Sequence, residues 1–252
     1  MKEFLSHLIK IYIAIEVMCS LGRVQVYAQE IDLEKELVAR YLFNGNARNA
    51  VEDKNHGTET NVEYRADRNG QANKCLYLLG QESFITIPHS EDLNWDARTE
   101  SYSILFWVKS TNPRQGRKAA VRVLQKWNEI ISTPYPFSFA CGDTVLHGAI
   151  REGSTFLMCT INGIWDDQWH HVAMIYDSNQ QQMSLYYDGS LFQSNTQQFP
   201  NSTRNNLDIC IGKTLRLDEY YKGYVDDLYI YNRAIEDCEI ETLFSGQLLN
   251  ER

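Results

Sequence analysis

The chain has 252 residues, 43% hydrophobic and 23% charged, a globular usage that excludes an extended disordered protein and a multi-span membrane protein. Asp and Glu total 33 against 24 Lys and Arg, leaving a net charge of −9. So acidic a chain is repelled by nucleic acid and by anionic lipid, which removes both as whole-domain partners.

Residues 1–28 read as a secretory signal peptide. Lys2 precedes an apolar run over 8–15, and Val26-Tyr27-Ala28 offers a cleavage point before Gln29. Lys10 and Glu16 interrupt the run, so no retained membrane span is expected, since a span needs roughly 20 apolar residues. A secreted, periplasmic or cell-surface location follows. Cys19 raises a lipid anchor, but Glu16-Val17-Met18 lacks the small residues that precede a lipidated cysteine.

Residues 29–36 follow as a short N-terminal leader. Glu30-Ile31-Asp32-Leu33-Glu34 alternates three carboxylates, a spacing that on one strand directs all three to the same face. It lies directly after the cleavage point and ahead of the first strand, so it reads as solvated leader rather than a catalytic set. No catalytic residues are assigned.

From residue 37 the pattern is strand, turn, strand. Runs at 37–43, 75–79, 84–88, 102–108, 120–127, 137–140, 145–150, 155–161, 170–176, 183–187, 207–211 and 224–231 are β-rich and separated by polar turns. Regularly spaced short strands of this kind predict an all-β, antiparallel two-sheet sandwich. Ile235, Ile240, Leu243 and Phe244 share one helical face, with Glu236 and Asp237 ahead and Gly246 behind, which predicts one short C-terminal helix. No linker divides 37–246, so one domain is expected, with 247–252 as a tail. Trp107 and Trp169 are expected in its core. Cys75, Cys141, Cys159, Cys210 and Cys238 remain after the leader; no pairing among them follows from spacing, and no CxxC indicates zinc.

Four stretches, in order, resemble the concanavalin A-like jelly roll, and within it the laminin G-like branch. They are Tyr41-Leu42-Phe43-Asn44-Gly45-Asn46-Ala47; Gly70 to Leu78 continuing to Phe84-Ile85-Thr86-Ile87-Pro88; Ser103 to Lys109 with Trp169-His170-His171-Val172-Ala173 and Leu185-Tyr186-Tyr187-Asp188-Gly189; and Gly223 to Ile235. The resemblance covers about 37–246. It implies two curved antiparallel sheets, export, recognition of a glycan or protein ligand, and often a structural calcium ion. For calcium it points to Asp226 near the start of the closing strand, paired antiparallel with the first strand, and to carbonyl-rich turns at Asn44, Asn46 and Gly80. Asn49 stands where the family usually has an acid.

Among the remaining polar motifs, His170 and His171 are adjacent on a strand and point to opposite faces, so they do not share an ion. Arg114 to Arg122 places four cations in nine residues; Arg117 and Lys118 are the candidates there for gripping sulfated or uronic glycans. Trp127, Tyr135, Tyr220 and Tyr221, in or near loops, are candidates for stacking on sugar rings. The favoured function is a secreted, non-catalytic binding module for a glycan. A glycoside hydrolase or polysaccharide lyase on the same sandwich, and an adhesion domain binding an extracellular protein, are the alternatives.

Overall fold

The computed structural model describes residues 11–14, 28–116, 120–214 and 219–246, with side chains from residue 31 onward. Seventeen strands run in chain order: β1 Ile11–Ala14, β2 Ala28–Ile31, β3 Leu37–Tyr41, β4 Thr58–Thr60, β5 Glu63–Arg65, β6 Cys75–Leu79, β7 Phe84–Ile87, β8 Tyr102–Lys109 and β9 Val121–Gln125. β10 Tyr135–Cys141, β11 Val145–Glu152, β12 Thr155–Asn162, β13 His170–Asp177, β14 Gln182–Tyr187, β15 Ser190–Thr196, β16 Ile209–Ile211 and β17 Lys222–Tyr231 follow, and then helix α1, Asp237–Ser245. Apart from the β1–β2 ribbon, they form two antiparallel sheets. One has seven strands in the order β12-β11-β10-β9-β16-β7-β4. The other has eight: β15-β14-β13-β8-β17-β6-β5 along the path, with β3 sharing the second edge of β17 with β6.

Alternation explains the layering. On β3 Ala39 and Tyr41 point into the core between the sheets, while Leu37, beyond a register shift opposite Tyr231, packs in the outer cluster beneath α1. On β8 nearly every residue is buried, because both of its faces are covered. Ile104, Phe106 and Val108 meet the opposite sheet, where Phe106 and Phe139 pack edge to face at 4.8 Å. Leu105 faces outward, beneath α1, in a second apolar cluster with Ala173, Ile175, Tyr186, Ile235 and Ile240.

The helix has the ends its sequence predicts. Glu236 and Glu239 form a reciprocal capping box, and Gly246 closes the last turn at φ +64, a left-handed conformation that glycine adopts without a Cβ penalty. It begins two residues later than Ile235. The expected antiparallel pairing of the first domain strand with the closing strand is present, Tyr41 opposite Leu228.

Several expectations change. The closing strand starts at Lys222 rather than 224, so Asp226 lies in its interior. Trp107 is buried, but Trp169 is only half-buried, packed edge-on against Tyr224 at 5.7 Å. The leader from residue 31 is docked: Ile31 and Leu33 are buried, Tyr231 donates to the Leu33 carbonyl, and Arg233 donates to those of Asp32 and Lys35. Apolar side chains between the carboxylates, overlooked beside their charge, anchor it. Of the proposed signal segment, Ile11–Ala14 pairs with Ala28–Ile31; the rest, and the tail 247–252, lie outside the described residues.

Candidate functional site

The outward face of the eight-stranded sheet is half covered by α1 and half open. Past the helix, Tyr77 on β6 and Tyr224 on β17 are register partners, so their rings meet at 4.6 Å between centroids. Trp169 extends the aromatic row on the other side of Tyr224. Tyr77 is buried with Arg65 over its ring at 3.5 Å, so the half-exposed Tyr224 and Trp169 carry the open aromatic surface, with Lys109 over Tyr224 at 5.7 Å. Beside this row is a cleft of about 440 Å³, within the size range of ligand pockets. Its wall carries Ser110, Thr111, Asn112, Gln115, Asp167 and Lys222.

Local hydrogen bonds fix that wall. Gln115 donates to the Gly80 carbonyl at 2.6 Å, Ser110 Oγ to the Lys222 carbonyl at 2.7 Å, and the Lys222 amide to Pro113 at 3.1 Å. The Asp167 amide donates to the Ser110 carbonyl at 3.2 Å, joining a third loop. At Gly223 a Cβ would stand 2.6 Å from the Lys109 carbonyl, so only glycine lets β17 close on β8 here. The result is a preformed trough with an aromatic side and a row of hydrogen-bonding groups, an arrangement that fits a ring with one apolar face and several hydroxyls.

The residues that the sequence singled out lie elsewhere. Trp127 and Tyr135 do meet, at 4.9 Å, but on the outward face of the seven-stranded sheet, and both are buried. Tyr220 is buried between Phe84 and Lys213. Tyr221 is fully buried, its hydroxyl donating to Lys109 O at 3.2 Å, so its ring has no face to offer a ligand. Arg117 and Lys118 lie outside the described residues. His170 is clamped between Asp188 at 2.9 Å and Asp166 at 3.0 Å. His171 faces the opposite way, into Trp107 and Phe244; burial and the nearby Arg68 lower its pKa to about 3, so it is neutral.

The donors proposed for calcium do not assemble around one ion. Asp226 is 2% exposed and accepts from Arg68 at 2.9 Å, while its other oxygen accepts the Asp227 amide at 3.0 Å. The same guanidinium reaches Asp227 at 2.7 Å. Gly80 follows Leu79, the partner of Lys222, so it lies one residue past the start of β17, about 16 Å along the strand direction from Asp226. Its carbonyl already accepts Gln115. Asn46 accepts the Arg48 amide and donates to the carbonyl of Asn44. Asn49 is buried, accepting the amides of Arg40 and Val51 and donating to the carbonyls of Val38 and Lys54. Those last two bonds need an amide, which explains the missing acid. Among the described residues no cluster of three His, Cys, Asp or Glu side chains could hold a metal.

The cleft was missed because its parts are scattered over 77–224 and each reads as strand or turn. The one available signal was the period-2 placement of Tyr77 and Tyr224 on strands with polar flanks.

Residues 79–241, more than half of the chain, match the model of the concanavalin A-like lectin/glucanases superfamily. No curated protein matches the sequence. Among solved structures, the chain is similar to the binding domain of Paraclostridial Mosquitocidal Protein 1, at 16% identity and a TM-score of 0.70, covering 85% of this chain and 53% of that one. It is also similar to the binding domain of botulinum neurotoxin serotype D, at 14% identity and a TM-score of 0.67, over 86% of this chain and 52% of that one. A third similar structure is the serotype D ligand-binding domain in complex with N-acetylneuraminic acid, at 14% identity and a TM-score of 0.65, with 86% and 52% covered. The chain thus spans about half the length of these domains, and at such identities the likeness is one of fold.

Proposed function

The chain belongs to the concanavalin A-like lectin/glucanases superfamily, and from that premise we propose that it is an exported, non-catalytic module that binds a glycan in the cleft lined by Tyr77 and Tyr224, with Trp169 extending the surface beside Tyr224. The observation that carries this reading is the juxtaposition of an aromatic row with a fixed polar wall in one preformed cleft. Its polar groups are suited to sugar hydroxyls: a carboxylate and a carbonyl-anchored amide accept or donate, and Lys222 adds a cation at the rim. The fold is shared with toxin binding domains, one of them complexed with a sugar acid, which agrees with a binding role.

The test is a glycan array read beside reducing-sugar release, with wild type, Tyr224→Ala and Trp169→Ala. Retention of one glycan class, no sugar release, and affinity about 5-fold to 10-fold weaker in each variant are expected, the loss of about 1–1.4 kcal/mol of ring contact. Sugar release by the wild type, or unchanged affinity in both variants, would overturn the reading.

A further inference from the structure

We propose a second binding site on the outward face of the seven-stranded sheet, where Arg122 and Arg151 take separate acid groups of one anionic polysaccharide. The register sets the site out in rows. Arg122, Ala140, His147 and Thr160 are successive partners across β9, β10, β11 and β12. Ser138, Ala149 and Met158 form the next row, and Tyr135, Arg151 and Phe156 the one after. Ser138 and Ala149 occupy the middle of the face, where the buried Trp127 and Tyr135 rings pack against Ala149, with the arginines in the rows to either side and half-exposed Phe156 and Met158 at the margin.

Every other described arginine has a carboxylate oxygen within 4.0 Å. Arg122 and Arg151 have none, in a chain with 33 acids to 24 bases. Arg122 donates only to the carbonyls of Ala120 and Val121, its Nε is buried without a partner, and Arg151 donates to Gly153 O. Each guanidinium lies against an aromatic ring, Arg122 over Trp127 at 5.6 Å and Arg151 over Phe156 at 5.7 Å. Stacking holds a guanidinium by its face and leaves the N–H groups of its edge for a planar acid.

The two arginines flank the buried Tyr135, Arg151 as its register partner and Arg122 across the Trp127 ring that Tyr135 meets. Burial pushes the Tyr135 hydroxyl up to about 12, and both guanidinium charges act against that rise. His147 is held below its ordinary value by burial and by Arg122. Asp143, which follows β10, is already bound by Arg114 at 2.8 Å.

Each guanidinium fits a carboxylate or sulfate, the pair fits successive acid groups of a polymer, and the exposed apolar margin fits the C–H face of a sugar ring. Because the whole chain is acidic, a polyanion is repelled except where this patch lies within a Debye length, about 8–10 Å. The site shares no residue with the cleft of the opposite sheet.

The test measures retention of the full chain on polygalacturonate, dextran sulfate and neutral dextran at 50 and 300 mM salt. Variants are Arg122→Gln, Arg151→Gln, the pair, and Tyr224→Ala, each with its melting temperature. Binding to one or both acidic polymers but not to dextran, at least tenfold weaker at 300 mM salt, supports the site; the polymer preferred says whether it takes carboxylate or sulfate. Loss of at least tenfold in the pair and a smaller loss in each single variant, with Tyr224→Ala unchanged, are also expected. If the pair does not fold, the half-exposed Arg151→Gln alone must weaken binding at least threefold. Failure of the wild type to bind either acidic polymer, unchanged binding in the arginine variants, or tighter binding to phosphatidylserine vesicles than to both polymers would overturn the proposal.

Discussion

Replacing Arg68 with Met would leave Asp226 and Asp227 without their shared guanidinium, whose Nη1 and Nη2 stand 2.9 and 2.7 Å from the two carboxylates. Asp226 is buried, and burial together with the charge of Asp227 already raises its pKa, with Arg68 opposing the rise. With the guanidinium in place the Asp226 pKa stands at about 8, and removing Arg68 raises it further. A group whose folded pKa is raised contributes stability below its unfolded pKa, here 3.8, and loses it as pH rises through the folded pKa; that window ends near pH 8 in the wild type and extends higher in the variant. Above about pH 8 the wild type holds an ionised Asp226 against Arg68, and breaking that buried pair costs roughly 3–5 kcal/mol. At about pH 6 both proteins hold the proton on Asp226, so the penalty there is smaller. Urea unfolding of wild type and Arg68→Met at about pH 6 and about pH 9 measures this, and adding Asp226→Asn to Arg68→Met should abolish most of the pH dependence. A penalty under about 1 kcal/mol at the higher pH, or one equal at both pH values, would show that the guanidinium does not neutralise a buried charge here.

Two further outcomes follow from buried groups. Lys126 is fully buried, bonded to His89 at 3.1 Å and to the Leu207 carbonyl, and burial lowers its pKa to about 8. The unfolded chain thus binds more protons between about pH 8 and 10.5, so this group adds stability as pH rises through that window; Lys126→Met should lose about 2–3 kcal/mol relative to wild type between pH 7 and pH 10 in urea titrations. Deleting residues 29–35 removes buried Ile31 and Leu33 and three carbonyl acceptors of the last strand and its flank, and should lower stability by at least about 2 kcal/mol, measured by thermal unfolding.

Much of the sandwich was legible because its inner strands carry buried apolar runs between turn residues. Tyr102–Lys109 and His170–Asp177 were found within one residue. Ser190–Thr196 was not, because it is an edge strand with no buried face and therefore no apolar alternation. Thr58–Thr60 and Glu63–Arg65 are short, polar edge pieces and fail for the same reason. The Arg68–Asp226 pair joins positions 158 apart, and no local pattern encodes it. Asp226 looked like a strand-end acid because Lys222-Gly223 reads as a turn. In fact Gly223 is there to let two strands close, and that places the acid inside the sheet under a cation.

The cleft has the same physical origin as the position of the helix. On β8 the outward residues run Leu105, Trp107, Lys109, from apolar to charged. On its antiparallel partner β17 they run Tyr231, Tyr229, Asp226, Tyr224, Lys222, the same gradient read backwards. Register adds the two gradients, so one end of the face is apolar across neighbouring strands and the other polar. The helix takes the apolar end, where Ile235 and Ile240 bury Leu105 and Ala173. It stops at Gly246, over Trp107 and Arg68, where the strands stop offering apolar surface. Beyond that point, among the described residues, the outward Tyr77 and Tyr224 have no helix above them. Tyr77 is buried beneath Arg65, Tyr224 is only half-buried beside Lys109, and the polar loops at 110–116 and 166–168 raise a wall beside them.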